Sequence, residues 1–152
     1  MIQFDLPKFV LTGELGPIHR RLSRSEIEAH LGAPTFDNGQ IVNYGNIGVE
    51  YGEREGVAVC GIQIGFPHPS QAMCEFDSRY DWNFGVVGPS ATIENAVELL
   101  QGFAPIEFID PNSNYTVFEH PDSLVHVSFL TMNDCEPQTI TNINAVPWWN
   151  GG

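Results

Sequence analysis

The sequence predicts an α+β protein in which two similar helix-plus-antiparallel-sheet units pack as one domain over residues 1–152. Short runs that alternate apolar and polar residues, separated by glycine and proline turns, are typical of antiparallel strands. A helical signal followed by Gly, by Ala-Pro and by such strands occurs twice, in the ranges 13–66 and 90–146. A chain of this length can bury a core without a disulfide or a structural metal.

The first unit begins with a predicted helix over residues 24–31. Ser23 is a suitable N-cap, and Glu26 follows at the spacing of a capping box. Gly32 then ends the helix. Gly45 predicts a tight turn in a three-stranded antiparallel meander, whose strands are expected over 41–44, 47–51 and 57–66.

Between the units, the alternation of Tyr80, Trp82 and Phe84 with polar residues or glycine predicts a strand over 80–86. The second unit begins with a helical stripe of apolar residues at i, i+3, i+4 and i+7, with Ser90 or Thr92 as the cap. This stripe comprises Ile93, Ala96, Val97 and Leu100. Strands are then expected over 106–109, 115–119, 124–130 and 139–146.

Ala33-Pro34 and Ala104-Pro105 lie at matching points of the two units, and Tyr44 and Tyr115 each follow their proline by ten residues. Sequence identity between the units is otherwise slight, and duplication is a hypothesis.

The chain carries 19 acidic and six basic residues, a formal net charge of −13. All six Lys and Arg residues precede position 80, so the second half carries Asp and Glu but no Lys or Arg. Nucleic acid and anionic membranes are bound through Lys and Arg, and this balance argues against both as partners. Two interpretations stay open: an ordinary acidic surface, or an acidic face for a basic protein.

Motifs of nucleotide binding, of the nucleophile elbow and of zinc binding are absent from the sequence. The five histidines have no ligand spacing on one helix face, and Cys135 lies between two acids that disfavour a thiolate. We therefore expect no enzymatic activity, no catalytic residues, no metal and no cofactor.

The candidate partner-binding residues are acids together with aromatic residues that can serve as anchors. For the aromatic residues of 80–84 the alternative is a position in the core, with the intervening polar side chains in water. The candidates are Asp77, Tyr80, Asp81, Trp82, Glu119, Asp122, Asp134 and Glu136.

The segment from Gly13 through the Ser23-Arg24-Ser25-Glu26 helix start and Leu31-Gly32-Ala33-Pro34 to Tyr44-Gly45 resembles a pattern in small bacterial proteins, some of them predicted immunity proteins of polymorphic toxins. The resemblance covers about residues 13–66. A similar helix start occurs in small outer-membrane lipoproteins, and the doubled plan is similar in architecture to secreted β-lactamase inhibitor proteins. None of these resemblances assigns a functional residue.

We expect a cytosolic inhibitory binding protein, an immunity protein that neutralises a bacterial toxin by occluding its active site. A basic nuclease toxin is the partner that the acidic charge favours. The alternatives are a small ligand-binding or enzymatic domain and a structural or adaptor subunit. We expect a monomer or weak dimer. No apolar stretch is long enough to span a membrane, and residues 1–13 lack the pattern of a signal peptide.

Overall fold

Most strands of the protein belong to one antiparallel sheet. The computed structural model describes residues 2–54, 57–66, 79–106, 114–130 and 138–145. Within these ranges the helices are α1 (Leu6–Thr12), α2 (Arg24–Leu31) and α3 (Ile93–Ala96). The strands are β1 (Ile2–Asp5), β2 (Phe36–Asp37), β3 (Ile41–Tyr44), β4 (Ile47–Arg54), β5 (Val57–Gly65), β6 (Tyr80–Asn83), β7 (Ala104–Ile106), β8 (Tyr115–Glu119), β9 (Val125–Leu130) and β10 (Thr139–Ala145).

The strand order of the large sheet is β2-β3-β4-β5-β10-β9-β8-β7, and β1 pairs with β6 in a separate parallel sheet. Each half therefore contributes one helix followed by four strands that pair antiparallel in sequence. The halves meet where β5 pairs with β10. The α+β class predicted from the sequence is confirmed.

Helix α2 begins and ends at the predicted residues. The Ser23 side chain accepts from the Glu26 backbone N–H, and the Glu26 side chain accepts from the Ser23 N–H, so the capping box is formed. Gly45, with φ of 66°, makes the turn between β3 and β4. Left-handed backbone of this kind favours glycine because it has no Cβ.

The second helix differs from the prediction. Thr92 caps it in a reciprocal pair with Asn95, but α3 ends at Ala96, and turns continue the chain to Gly102. Val97 is 55% exposed, so it does not belong to the buried stripe. The predicted strand over 80–86 is shorter in the structure, and of the range 106–109 only residue 106 lies within the described residues.

Tyr44 and Tyr115, which match in spacing along the sequence, occupy different places in the sheet. A two-fold rotation about the midpoint of the Gln63–Asn144 pair places β4 on β9 and β3 on β8. The residue pair that closes the β3–β4 hairpin then falls on the pair that closes the β8–β9 hairpin. The rotation relates Tyr44 to His120, which begins the β8–β9 turn. Tyr44 is buried, whereas Tyr115 begins its strand and is 45% exposed.

One core lies between the helices and one face of the large sheet. The buried residues of α1, α2 and α3 belong to the same cluster as those of β3, β4, β5, β9 and β10. The fully buried helix residues include Phe9 of α1, Ile27 of α2 and Ala96 of α3, and Ile62 and Val127 of the sheet belong to the same cluster. We call this side of the sheet the core face.

Both edge strands of the large sheet are poor templates for a further strand. β2 has only two residues, and Pro105 in the three-residue β7 has no N–H to donate. Short edges and edge prolines prevent other strands from pairing there.

Candidate binding face

The face of the large sheet opposite the core face carries a row of polar residues across its middle and apolar residues toward its ends. Side chains alternate between the faces along each strand, so the residues between core positions of the strands lie on this second face. Within the described residues, the buried parts of all three helices lie on the other side. We call this surface the polar face.

One row of paired residues crosses the polar face. The register places Phe36 opposite Asn43 at the β2 edge and Glu119 opposite Ala104 at the β7 edge. Between these edges the row continues from Asn43 through Gly48, Gln63, Asn144 and His126 to Glu119. We call these six residues the central row. Gln63 is exposed and the other five are half-buried.

His126 and Glu119 form a hydrogen bond within the central row. His126 Nε2 lies 2.8 Å from Glu119 Oε2, and the two side chains are directly opposite on β9 and β8. When the imidazole is protonated, the pair is a charge-assisted hydrogen bond. The pair holds both side chains in the plane of the row.

The polar face carries charged side chains on both of its halves. Among the described side chains there, Glu50 and Glu119 are carboxylates and His126 is a titratable base, and alternation along β4 places Arg54 on the same face as Glu50. The remaining polar side chains are amides and hydroxyls. The two carboxylates are complementary to basic groups of a protein surface.

Two large apolar residues stand at the β2 end of the polar face. Phe36, which pairs with Asn43, is 53% exposed. Ile41 lies two positions before Asn43 on β3 and is 41% exposed. Tyr115, 45% exposed, lies near the opposite end. Exposed aromatic residues at a polar surface are typical of interface anchors. Toward that end, Val117 and Ser128 are buried, so the accessible part of the face centres on the central row and β4–β5.

The sequence-predicted aromatic candidates lie in and beside the core. Tyr80 is 6% exposed, its ring lies 5.2 Å from that of Phe4, and its hydroxyl donates to the Leu31 carbonyl at 2.6 Å. Trp82 is half-buried and stacks on Phe84 with ring centroids 5.9 Å apart. Tyr80 therefore lies in the core and is not an exposed anchor. Asp81, between Tyr80 and Trp82 on the strand, is exposed.

The acidic candidates are separated in the structure. Glu119 belongs to the central row, and Asp122 is exposed on the adjoining turn, where its N–H donates to His120 Nδ1. Asp81 is on β6, outside the large sheet. Asp77, Asp134 and Glu136 lie outside the described residues. The structure thus places one of the eight candidates in the central row and one beside it.

Sequence reasoning missed Gln63, Asn144, Asn43 and Glu50 as parts of this surface. The signal was available, since Gln63 alternates with the apolar residues Ile62 and Ile64 on a strand. What the sequence lacked was the pairing of β5 with β10, which joins the two halves of the row.

A second polar cluster ties α2 to the sheet on the core side. Arg24 forms ion pairs with Glu28 and Asp37, and the Asp37 pair holds the pKa of that carboxyl below its ordinary value. The Tyr44 and Tyr51 hydroxyls lie 3.1 Å apart beneath it, and burial raises the pKa of both phenols. Because its members bond one another, this cluster serves to position β2 and α2.

Among the described residues, no three His, Cys, Asp or Glu side chains cluster in a way that could hold a metal ion. Within that same part of the chain, none of the helices has the length and apolar character needed to cross a membrane.

No family model matches the chain. No curated protein and no solved structure is detectably similar to it.

Proposed function

We propose that this protein is a cytosolic inhibitory binding protein, an immunity protein that covers the active site of a basic bacterial toxin with its polar face. The observation that carries the proposal is the central row. It crosses a sheet face that no described helix covers, and that face carries the carboxylates of Glu50 and Glu119.

Rigidity supports the same function. The polar face is built on paired strands rather than on loops, and both halves share one core with the helices. A surface that is ordered before contact loses less conformational entropy when it binds. An inhibitor that occludes an active site benefits from such preorganisation.

Charge supports the choice of partner. The chain carries a net charge of −13, and enzymes that act on nucleic acid have a basic cleft. Opposite charges accelerate association, and salt weakens this effect. Inhibition then needs only steric and electrostatic occlusion, with no chemistry by this chain.

Gln63 offers a matched pair of test variants. Its side chain is exposed at the centre of the row and makes no hydrogen bond within the described part of the chain. Gln63→Lys and Gln63→Glu therefore change the charge of the face without removing a recorded contact. Glu98→Lys, at an exposed position outside the sheet, controls for net charge.

The experiment captures partners from the lysate of the native organism at low and moderate salt, then assays inhibition of the captured protein's activity. We expect wild-type protein and Gln63→Glu to bind and inhibit one basic partner, with binding lost as salt rises. Gln63→Lys should bind at least roughly tenfold more weakly, and Glu98→Lys should resemble wild type. Binding without inhibition, or equal loss in both lysine variants, would contradict the proposal.

A further inference from the structure

Four glycines lie on the polar face of β4 and β5, at Gly48, Gly52, Gly61 and Gly65. They alternate with two side chains. Gly48 pairs with Gln63, and Gly61 pairs with Glu50. Glu50 and Gln63 are therefore diagonal neighbours, and the positions beside them on these two strands lack side chains.

The backbone does not require glycine at these positions. None of the four has a positive φ, and β5 pairs with β4 and with β10 in unbroken register, without a bulge. A Cβ at Gly48 would lie 3.2 Å from Asn43 Oδ1, and Gly61 is buried. At Gly65, by contrast, a Cβ would have no atom within 4 Å.

Glycine in the interior of a strand weakens that strand, and it often marks a place where another backbone or a ligand approaches closely. Asn43 fills the space beside Gly48, whereas the space over Gly65 is open, so another backbone can approach the sheet closely at Gly65. Gln63, the neighbour of Gly65 on this face, is exposed, and Glu50 is half-buried opposite Gly61.

The charge of this region indicates what approaches. Glu50 is half-buried and makes no hydrogen bond or ion pair within the described part of the chain. Diagonal neighbours in a sheet have Cβ atoms about 7 Å apart, within the reach of a Glu and a Gln side chain. The Glu50 carboxylate and the Gln63 amide oxygen thus offer two acceptors to one planar donor. Guanidinium presents such a fork, whereas the ammonium group of Lys is a point charge.

We propose that the polar face receives an arginine side chain from a basic loop of the protein partner, with Glu50 and Gln63 as its acceptors and the open space at Gly65 admitting the loop's backbone. This assignment rests on the proposed function, since it names the contact through which the partner is held.

The first test needs no identified partner. The ¹⁵N-labelled full-length chain is titrated with the blocked peptide acetyl-Gly-Arg-Gly-amide and, separately, with its lysine counterpart. We expect the arginine peptide to shift the backbone amide signals of Gly48, Glu50, Gln63 and Gly65 most strongly. Glu50→Gln should lose these shifts, and Glu98→Gln, the control at an exposed acid outside the sheet, should retain them. Equal shifts at exposed acids across the molecule, or equal shifts with the lysine peptide, would overturn the assignment.

The second test separates this inference from the proposed function. Glu50→Gln and Gly65→Leu are compared with wild type in binding to the captured basic partner, after circular dichroism and urea unfolding show that both variants are folded. Each should weaken binding at least roughly tenfold. If wild type inhibits the partner and both variants bind it equally well, the arginine contact is wrong and the function stands. If the arginine peptide maps to this region but no basic partner is inhibited, the function is wrong and the arginine site stands.

Discussion

Gln63 and Asn144 face each other across the junction of β5 and β10, and they are the centre about which the two halves of the large sheet are related. Through this pair Gly48 corresponds to His126, and Asn43 corresponds to Glu119. The central row is therefore one structural row built from two repeated halves, but its chemistry is not repeated. Glycine and amide on one side correspond to the His126–Glu119 hydrogen bond on the other.

The exposed aromatic ring of Phe36 at the β2 end of the polar face should contribute to partner binding. Phe36→Ser removes an aromatic ring from the polar face, and we expect affinity for the captured partner to fall by about 1–3 kcal/mol. Leu11→Ser is the matched control, since Leu11 is 44% exposed on α1, away from this face. Titration calorimetry with both variants checks the prediction, and an equal loss for the two would assign the effect to general surface hydrophobicity.

The N-cap of α2 should contribute measurably to stability. Ser23→Ala removes the acceptor of the Glu26 N–H and breaks the capping box, at a cost of about 1 kcal/mol in the free energy of unfolding. Ser23→Asp retains a capping acceptor and should restore most of the loss. Urea unfolding followed by circular dichroism measures both, and the prediction fails if the two variants are equally unstable.

The Tyr80 hydroxyl should stabilise the end of α2. It donates to the Leu31 carbonyl at 2.6 Å in a buried position, so Tyr80→Phe leaves that carbonyl without this donor. We expect a loss of about 1–2 kcal/mol in the free energy of unfolding. Hydrogen exchange should also become faster in the last turn of α2. A variant as stable as wild type would show that this bond adds nothing.

The ion pair between Arg24 and Asp37 should make stability depend on pH in the acid range. The pKa of Asp37 is lowered from its ordinary value of 3.8, first by its hydrogen bond to Arg24. A lowered carboxyl pKa stabilises the fold above the unfolded value, and this contribution is lost as the pH falls through the folded value.

Wild type should therefore exceed Asp37→Asn in stability at pH 6, and the difference should shrink below pH 3.8. Urea unfolding of both proteins at several pH values measures it. When Arg24→Gln is added to both proteins, the stability difference between them at pH 6 should become smaller, because the partner of the Asp37 carboxylate is gone. A difference that stays constant from pH 6 to pH 3 would contradict the assignment.

Cys60 should be unreactive in the folded protein. Burial raises the pKa of its thiol to about 12, and its Sγ lies 3.5 Å from the His19 carbonyl oxygen. Because the thiolate is the nucleophile, iodoacetamide should label Cys60 only as fast as the fold opens. Peptide mapping by mass spectrometry in buffer and in urea compares the two rates. Native labelling at the rate of a free thiol would contradict the burial of this side chain.

Local signals predicted the parts of the fold that depend on neighbouring residues. The capping box and Gly32 set both ends of α2, and Gly45 fixed the hairpin of β3 and β4. The same kind of signal was available for α1, where Asp5 caps the helix and Pro7 lies in its first turn, yet no helix was predicted there. Short helices give few periodic positions, so the cap is the main evidence for them.

Pairings between distant residues were not predictable from these patterns. β1 pairs with β6 along residues 2–5 and 80–83, and β5 pairs with β10. Alternation shows which side chains of one strand share a face, but not which strand lies beside it. The polar face could not be assembled from the sequence for this reason, and Glu119 was predicted as a binding residue without its neighbours.

The junction between β5 and β10 also has a consequence for how the chain folds. Each four-stranded meander joins neighbouring strands through short connections, whereas the Gln63–Asn144 pair closes a loop of about 80 residues. Loop closure costs conformational entropy before the contacts that compensate for it are made, and such long-range pairings slow folding. The two meanders should then form early and join late, so that the continuous central row exists only after the last step of folding.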